Sequence, residues 1–264
     1  MALKKIKQLI HDVKNRPLMD AVRGIFTWIS VICSAVFISS LVLILFPIVY
    51  VFSKERHLLH ELANLWGKIV QFLNPWWTFE IIDKENLAKK GQAVVYVANH
   101  QSQVDILALF IISTRFRWLS KASLFKIPIF GWAMSAIGYV SVVRRSKKSR
   151  ERCMRIAAQH LKHGTPMIFF PEGTRSKTGE LGAFKEGAFR LAHAMHLPII
   201  PITINGCAEL LPKGSLLPNI ANVTIHIHEP IQSTNLSSED LMLKAREVIS
   251  TQLVKDKNVV KEKK

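Results

Sequence analysis

The chain is short of acidic residues and of cysteine. Only 19 Asp and Glu stand against 36 Lys and Arg in 264 residues, a net charge of +17. The three cysteines, Cys33, Cys153 and Cys207, are odd in number, widely separated and in no C-x-x-C pair. That excludes a disulfide framework or a zinc ribbon and fits a reducing compartment. Proline is sparse, at 11 residues, and 49% of the chain is hydrophobic, so the composition of a disordered chain is absent. There is no internal repeat, no low-complexity stretch apart from a charged tail from Lys255, and no phosphate-binding P-loop, since Gly173 and Gly179 have the wrong spacing and no Gly-Lys-Ser/Thr follows.

What is present is enough chain for one sizeable domain and an appendage. A positive mean hydropathy, +0.18, accompanies the basic excess. Two kinds of partner carry enough phosphate to explain that excess: nucleic acid, or an anionic membrane together with phosphorylated metabolites.

Charge is missing altogether from 24 to 53, between Arg23 and Lys54. As a helix this stretch extends about 45 Å, against about 30 Å of hydrocarbon in a bilayer. Membrane insertion is therefore predicted over a buried core helix. A cleaved signal peptide fits less well, because its apolar region spans roughly 7 to 15 residues and ends at a small-residue site. Ser39-Ser40 and Pro47 are candidate bends, so the stretch either crosses once with tilt or dips in and returns as a hairpin. Residues 55–79 carry Leu58, Leu62, Leu65, Trp66, Ile69, Phe72 and Leu73 at helical spacing, then Trp76 and Trp77 after Pro75. An interfacial helix is preferred over core packing because a membrane segment lies immediately before it. Six Lys or Arg precede position 24, and the part from 75 onward holds 27 positive against 15 negative residues. A re-entrant or hairpin insertion keeps both basic flanks on the cytoplasmic side.

Beyond residue 90, short apolar runs at 93–98, 116–120, 139–143, 166–170, 199–204 and 223–228 read as strands. Helical periods at 104–112, 148–162, 185–195 and 238–253 alternate with them. The pattern predicts an α/β layer structure, a mixed sheet flanked by helices.

Two polar constellations follow apolar strands. In Asn99-His100-Gln101-Ser102-Gln103-Val104-Asp105, the histidine sits where a strand ends and the aspartate where a helix begins. Five residues apart on one helix the two side chains would point about 140° apart. With His100 on the loop they meet, and the carboxylate fixes the imidazole tautomer and raises the basicity of its other nitrogen. The bland alternative is a surface histidine beside a helix-start aspartate. The second constellation is Phe170-Pro171-Glu172-Gly173-Thr174-Arg175-Ser176. Gly173 permits close backbone approach to a ligand, and Arg175 offers a planar fork for phosphate oxygens. Glu172 either holds that guanidinium or accepts from a substrate hydroxyl; the bland alternative is a polar turn with an ordinary salt bridge. His226 and His228 share a strand face and read as a solvent-facing pair rather than metal ligands. The run from Arg144 to Arg152 is a solvated basic face or a contact for anionic headgroups, coenzyme A phosphates or an acidic carrier protein.

In this order the motifs resemble the glycerolipid acyltransferase family, especially the 1-acylglycerol-3-phosphate (lysophosphatidic acid) acyltransferases. The N-H-x4-D block is met by Asn99, His100 and Asp105. A K-x-x-L and P-x-x-G block is met by Lys121, Leu124, Pro128 and Gly131, with Gly138 and Arg144 beyond it. The F-P-E-G-T-R-S block is complete, and Leu197-Pro198-Ile199-Ile200-Pro201-Ile202 matches an apolar, proline-containing strand. One departure is Val142-Val143 before Arg144, where the family often has an acidic residue. The resemblance implies residues 1–74 as membrane-embedded and interfacial helices and 75–264 as the catalytic domain. It implies an O-acyltransferase without metal or cofactor, located at the cytoplasmic membrane with its catalytic domain facing the cytoplasm. The donor is acyl-CoA or acyl carrier protein, the acceptor a lysophospholipid, and the surroundings membrane lipid. His100 is then the base and Asp105 its orienter; Glu172, Gly173, Thr174 and Arg175, with Lys121 and Arg144, bind substrate. Acyl transfer to another lyso-lipid is the near alternative. A membrane-anchored nucleic-acid adaptor is the remote one, with no recognition module in the sequence to support it.

Overall fold

The computed structural model describes residues 17–53, 55–176, 179–212 and 215–254. The basic residues before position 17 and the tail from Lys255 lie outside the described residues.

The strands are β1 (Trp77–Ile82), β2 (Val95–Ala98), β3 (Arg117–Lys121), β4 (Val140–Val142), β5 (Met167–Phe169), β6 (Ile199–Asn205) and β7 (Ala221–Ile227), joined in one sheet of order β1-β7-β6-β2-β5-β3-β4. β6, β2, β5, β3 and β4 run parallel; β7 is antiparallel to β6 and parallel to β1. The central strands are apolar without alternation because both faces are covered, and β2 and β6 are buried almost throughout. Alternate residues of β2 enter different cores. Tyr96 and Ala98 face one apolar cluster, Val95 and Val97 the other.

On the first face lie α2 (His57–Leu73), α3 (Asp105–Ile111) and α4 (Phe130–Ile137). On the second lie α5 (Lys147–Lys162), α6 (Gly187–Ala194) and α8 (Ser238–Gln252). Ser146 caps α5 by accepting from Ser149 N at 3.2 Å, and Ser237 caps α8 by accepting from Asp240 N at 3.1 Å. A short helix, α7 (Cys207–Leu210), follows β6.

The uncharged stretch forms one helix, α1 (Leu18–Phe52), which runs without interruption through Ser39, Ser40 and Pro47. The expected bends do not break it, and the chain reverses only after Phe52. α1 and α2 form an antiparallel hairpin: Asn74 Nδ2 donates to Ser30 Oγ at 3.1 Å, and Trp66 Nε1 to Ser34 Oγ at 3.1 Å. α1 is the outermost layer of the first face, packed on α2 and α4. α1 also lies against the segment before β7, where a Cβ on Gly24 would stand 2.9 Å from Leu217 Cδ2.

α2 is shorter than the amphipathic stretch from which it was expected. Its buried face, Leu59, His60, Ala63, Asn64, Gly67 and Val70, packs toward the sheet, while Leu58, Leu65 and Phe72 are exposed. Trp77 is not an interfacial indole. It opens β1, is buried, and donates from Nε1 to Asn219 O at 3.0 Å.

Candidate active site

The five parallel strands end along one edge of the sheet, and the residues singled out from the sequence follow those ends. Arg144 lies just beyond β4, Lys121 ends β3, residues 172–175 follow β5, and His100 follows β2. The carboxyl ends of parallel strands are where open α/β sheets gather ligands, because loops there are free to converge while the sheet holds their bases.

His100 and Asp105 meet as the spacing predicted. His100 Nδ1 lies 2.6 Å from Asp105 Oδ2, with Asp105 at the first residue of α3 and fully buried. The same oxygen accepts from Gln101 N at 2.8 Å and Ser102 N at 2.9 Å, so the loop is wound around the carboxylate. A carboxylate at Nδ1 makes that nitrogen the proton-bearing one and leaves Nε2 with its lone pair free to accept a proton. The imidazole stacks on Phe170 with centroids 4.3 Å apart, and its side chain is 13% exposed. Asn99 anchors the loop to β6, donating to Ile204 O at 2.8 Å and accepting from Ile204 N at 2.7 Å.

Glu172 holds neither a guanidinium nor an open position. Its Oε1 accepts from His100 N at 2.7 Å and its Oε2 from Gly182 N at 2.9 Å. This buried carboxylate joins the two motif loops through their backbones. Ser176 N adds a bond to His100 O at 2.8 Å, and Gln101 Nε2 one to Gly179 O at 3.1 Å. Burial raises the Glu172 carboxyl above its ordinary value, against the opposing pull of the two amide bonds.

Gly173 has φ +70, and a Cβ there would stand 2.5 Å from Lys185 Nζ. The positive φ is what favours glycine, since the flexible tip of Lys185 can swing away from a Cβ. The close approach also places Lys185 over the loop that carries Thr174 and Arg175, adding a cation that sequence reading treated only as a helix start. A lysine 12 positions along the chain gives no local signal of that meeting. Thr174 is exposed and Arg175 half-buried. Lys121 and Arg144 are exposed at neighbouring strand ends; among the described residues neither bonds to His100, Asp105 or Glu172. The geometry therefore supplies a charge-oriented imidazole with cations along the same sheet edge.

Three histidines away from this edge have local partners. His226 lies 2.5 Å from Asp83 Oδ2 and His228 2.8 Å from Thr203 Oγ1, so this pair is half-buried and bonded rather than simply solvent-facing. His163 Nδ1 donates to Gln159 O at 2.8 Å near the end of α5.

Residues 78–205 match the family model described as Acyltransferase. A chloroplastic 1-acyl-sn-glycerol-3-phosphate acyltransferase of Arabidopsis thaliana is 39% identical over 82% of this chain and 61% of its own length. One from Brassica napus is 37% identical over 81% of this chain and 62% of its own length. The chain thus spans about three fifths of these two plant relatives. A Chlamydomonas reinhardtii 1-acyl-sn-glycerol-3-phosphate acyltransferase is 36% identical over 89% of this chain and 71% of its own length. The crystal structure of the 1-acyl-sn-glycerophosphate acyltransferase from Thermotoga maritima superposes with a TM-score of 0.77 at 26% identity, covering 89% of this chain and 96% of that one. With this fold, and with 36% identity to a relative matched over 89% of this chain and 71% of its own length, the chain belongs to the 1-acyl-sn-glycerol-3-phosphate acyltransferase family.

Proposed function

We propose that this protein transfers a fatty acyl group from an acyl thioester to the sn-2 hydroxyl of 1-acylglycerol 3-phosphate, forming phosphatidic acid. The observation that carries the reading is the His100–Asp105 pair: Nδ1 is occupied by a buried carboxylate at 2.6 Å, and the partly exposed ring retains Nε2 for a hydroxyl proton. His100 removes that proton as the acceptor oxygen attacks the thioester carbonyl. The tetrahedral intermediate collapses with cleavage of the carbon–sulfur bond, and the proton on His100 passes to the departing thiolate. One ester forms and one thiol is released. Direct attack needs no enzyme nucleophile; Ser102, the nearest hydroxyl in the loop, is buried and donates to Leu211 O at 3.0 Å.

Arg175, with Lys185 across Gly173, supplies the cation pair for the acceptor phosphate, and Lys121 and Arg144 extend the positive edge. Thr174 adds a hydroxyl on the same loop. Lys121 or loop amides stabilise the developing oxyanion. The donor is acyl-CoA or acyl carrier protein, whose phosphates or acidic surface suit the basic helix α5. Residues 1–74 associate with membrane lipid and 75–264 perform the transfer on the cytoplasmic side.

The test is acyl transfer by membranes or detergent-solubilised protein, with labelled acyl-CoA and acyl carrier protein against lysophosphatidic acid and neutral or zwitterionic lysolipids. Phosphatidic acid formation that falls about 10²–10⁴-fold in His100→Ala is expected. No transfer from any thioester, or full activity in the variant, overturns the reading. Preference for another lysolipid would redirect the acceptor and leave the chemistry in place.

A further inference from the structure

The edge of the sheet opposite the catalytic loops holds a cavity of about 230 Å³ that no step of acyl transfer uses. Its walls are segments that lead into three parallel strands: Lys89 and Lys90 before β2, Ser113 and Arg115 before β3, and Gly164 before β5. His57 and Glu61 of α2 close one side. The chain turns tightly there. Gly91, Ser113 and Gly164 all have positive φ, and a Cβ on Gly164 would stand 2.7 Å from Gly91 O.

Charge in this cavity is lopsided. Glu61, the one carboxylate that lines it, is committed to its neighbours, accepting from Arg115 Nε at 3.2 Å and from Asn64 Nδ2 at 3.0 Å. Among the described residues, the two terminal nitrogens of Arg115 and the ammonium groups of Lys89 and Lys90 have no hydrogen-bonding or acidic partner. His57 Nδ1 is buried and also without a partner among them, a state that native interiors rarely leave uncompensated. Burial, and then the charges of Arg115 and Arg117, hold the His57 ring below the ordinary histidine value, so the wall is positive even with that ring neutral.

We propose that this cavity is a second phosphate site: Arg115, Lys89 and Lys90 hold the oxygens of a phosphate monoester, and His57 Nδ1–H donates to one of them. The site goes beyond acyl transfer and does not depend on it, since it lies a strand's length from His100. A guanidinium fork with two ammonium groups matches an anion that offers several acceptor oxygens and more than one charge. The monoester is carried by a lipid or is free in solution. Phe52 and Leu58, both exposed, stand on either side of His57 in sequence, which gives a lipid's chains apolar surface beside the headgroup.

Lysine acetylation by an N-hydroxysuccinimide ester, located by mass spectrometry on the full chain in detergent, reads this site without turnover and apart from any binding at His100. Dioctanoyl phosphatidic acid at saturation should slow labelling of Lys89 and Lys90 about fivefold and leave Lys244, exposed on α8, unchanged. Protection by phosphatidic acid alone supports a lipid headgroup; protection by inorganic phosphate as well supports a site for the free anion. His57→Phe should abolish the protection, and His57→Asn, which returns a donor near the Nδ1 position, should retain most of it. No protection by either phosphate, equal protection by dioctanoyl phosphatidylcholine, equal protection of Lys244, or protection unaltered in His57→Phe overturns the proposal. If His57→Phe does not fold, Lys90→Gln decides: Lys89 should lose its protection, and Lys89 protected as before overturns the site.

Discussion

At the scale of the residue, the less obvious dependency is Glu172 rather than His100. Both carboxylate oxygens are spent on backbone amides, one from each motif loop. A neutral amide cannot replace it, because Gln offers one acceptor oxygen and puts an NH₂ against the second amide. Glu172→Gln leaves a buried N–H unpaired next to His100 or at Gly182, a cost of about 1–3 kcal/mol. The expected result is a lower unfolding midpoint in denaturant and reduced kcat, because the His100 backbone is no longer fixed. An affinity loss for the acceptor phosphate with stability intact would instead mean that Glu172 contacts substrate. The residue type in F-P-E-G-T-R-S was legible, but its task was not. A glutamate beside an arginine suggests a salt bridge, and nothing in a linear order tells that His100 N, 72 positions away, is the partner.

At the scale of the element, the turn into α4 explains why a glycine stands at position 131. A Cβ there would lie 2.5 Å from Phe125 C and O, which are backbone atoms and cannot swing aside. The turn is already tight: Ile129 has φ +64, and Phe130 N bonds to Pro128 O at 2.7 Å. A β-branched residue in that region is strained and is held there by the packing around it. Gly131→Ala should therefore destabilise by about 1–3 kcal/mol, measurable as a lower thermal midpoint. Because β3 and Lys121 lie just upstream, loss of activity should accompany loss of order. An unchanged midpoint would mean that the turn relaxes at no cost. Six strands and the four expected helices of the sheet region were legible because each is an apolar run or a helical period bounded by polar turns. β1 was hidden: Trp76-Trp77 after an amphipathic helix suits a membrane interface as well as a strand, and only the pairing of β1 with β7, 144 positions along for Trp77 and Ala221, decides. α4 is eight residues with a glycine near its start, too short for periodicity to declare it.

At the scale of the whole molecule, charge and apolar surface occupy different places, and each has a measurable consequence. His160 near the end of α5 and His228 beyond β7 are both held down to about 4, chiefly by burial, with Arg117 lowering the first further and His226 the second. In the unfolded chain both protonate near 6.5. As pH falls from about 6.5 toward 4 the unfolded chain binds protons that the fold refuses, so their contribution to stability, complete above 6.5, is lost across that window. Glu172 acts in the opposite sense, but only near the ordinary carboxylate range. A thermal midpoint that declines from pH 7 to pH 5, and declines less in His160→Gln/His228→Gln, is expected; equal slopes would remove these histidines from the balance. α1 concerns the membrane. It is long and apolar enough to cross one, yet its inward face is docked along α2 and α4. Its outward side chains are apolar, with Phe37, Ile44 and Ile48 at least 60% exposed. A basic body alone would hold to anionic lipid by forces that 1 M salt screens to a few ångströms. Hydrocarbon burial of α1 resists salt, so the protein should stay with sedimented membranes in 1 M salt and leave only in detergent. Ile44→Lys/Ile48→Lys adds about 2.5–3.5 kcal/mol per charge if those positions sit deep in the bilayer. The double variant should then appear in the salt supernatant; wild-type release by salt alone would assign membrane attachment to the basic surface instead of α1.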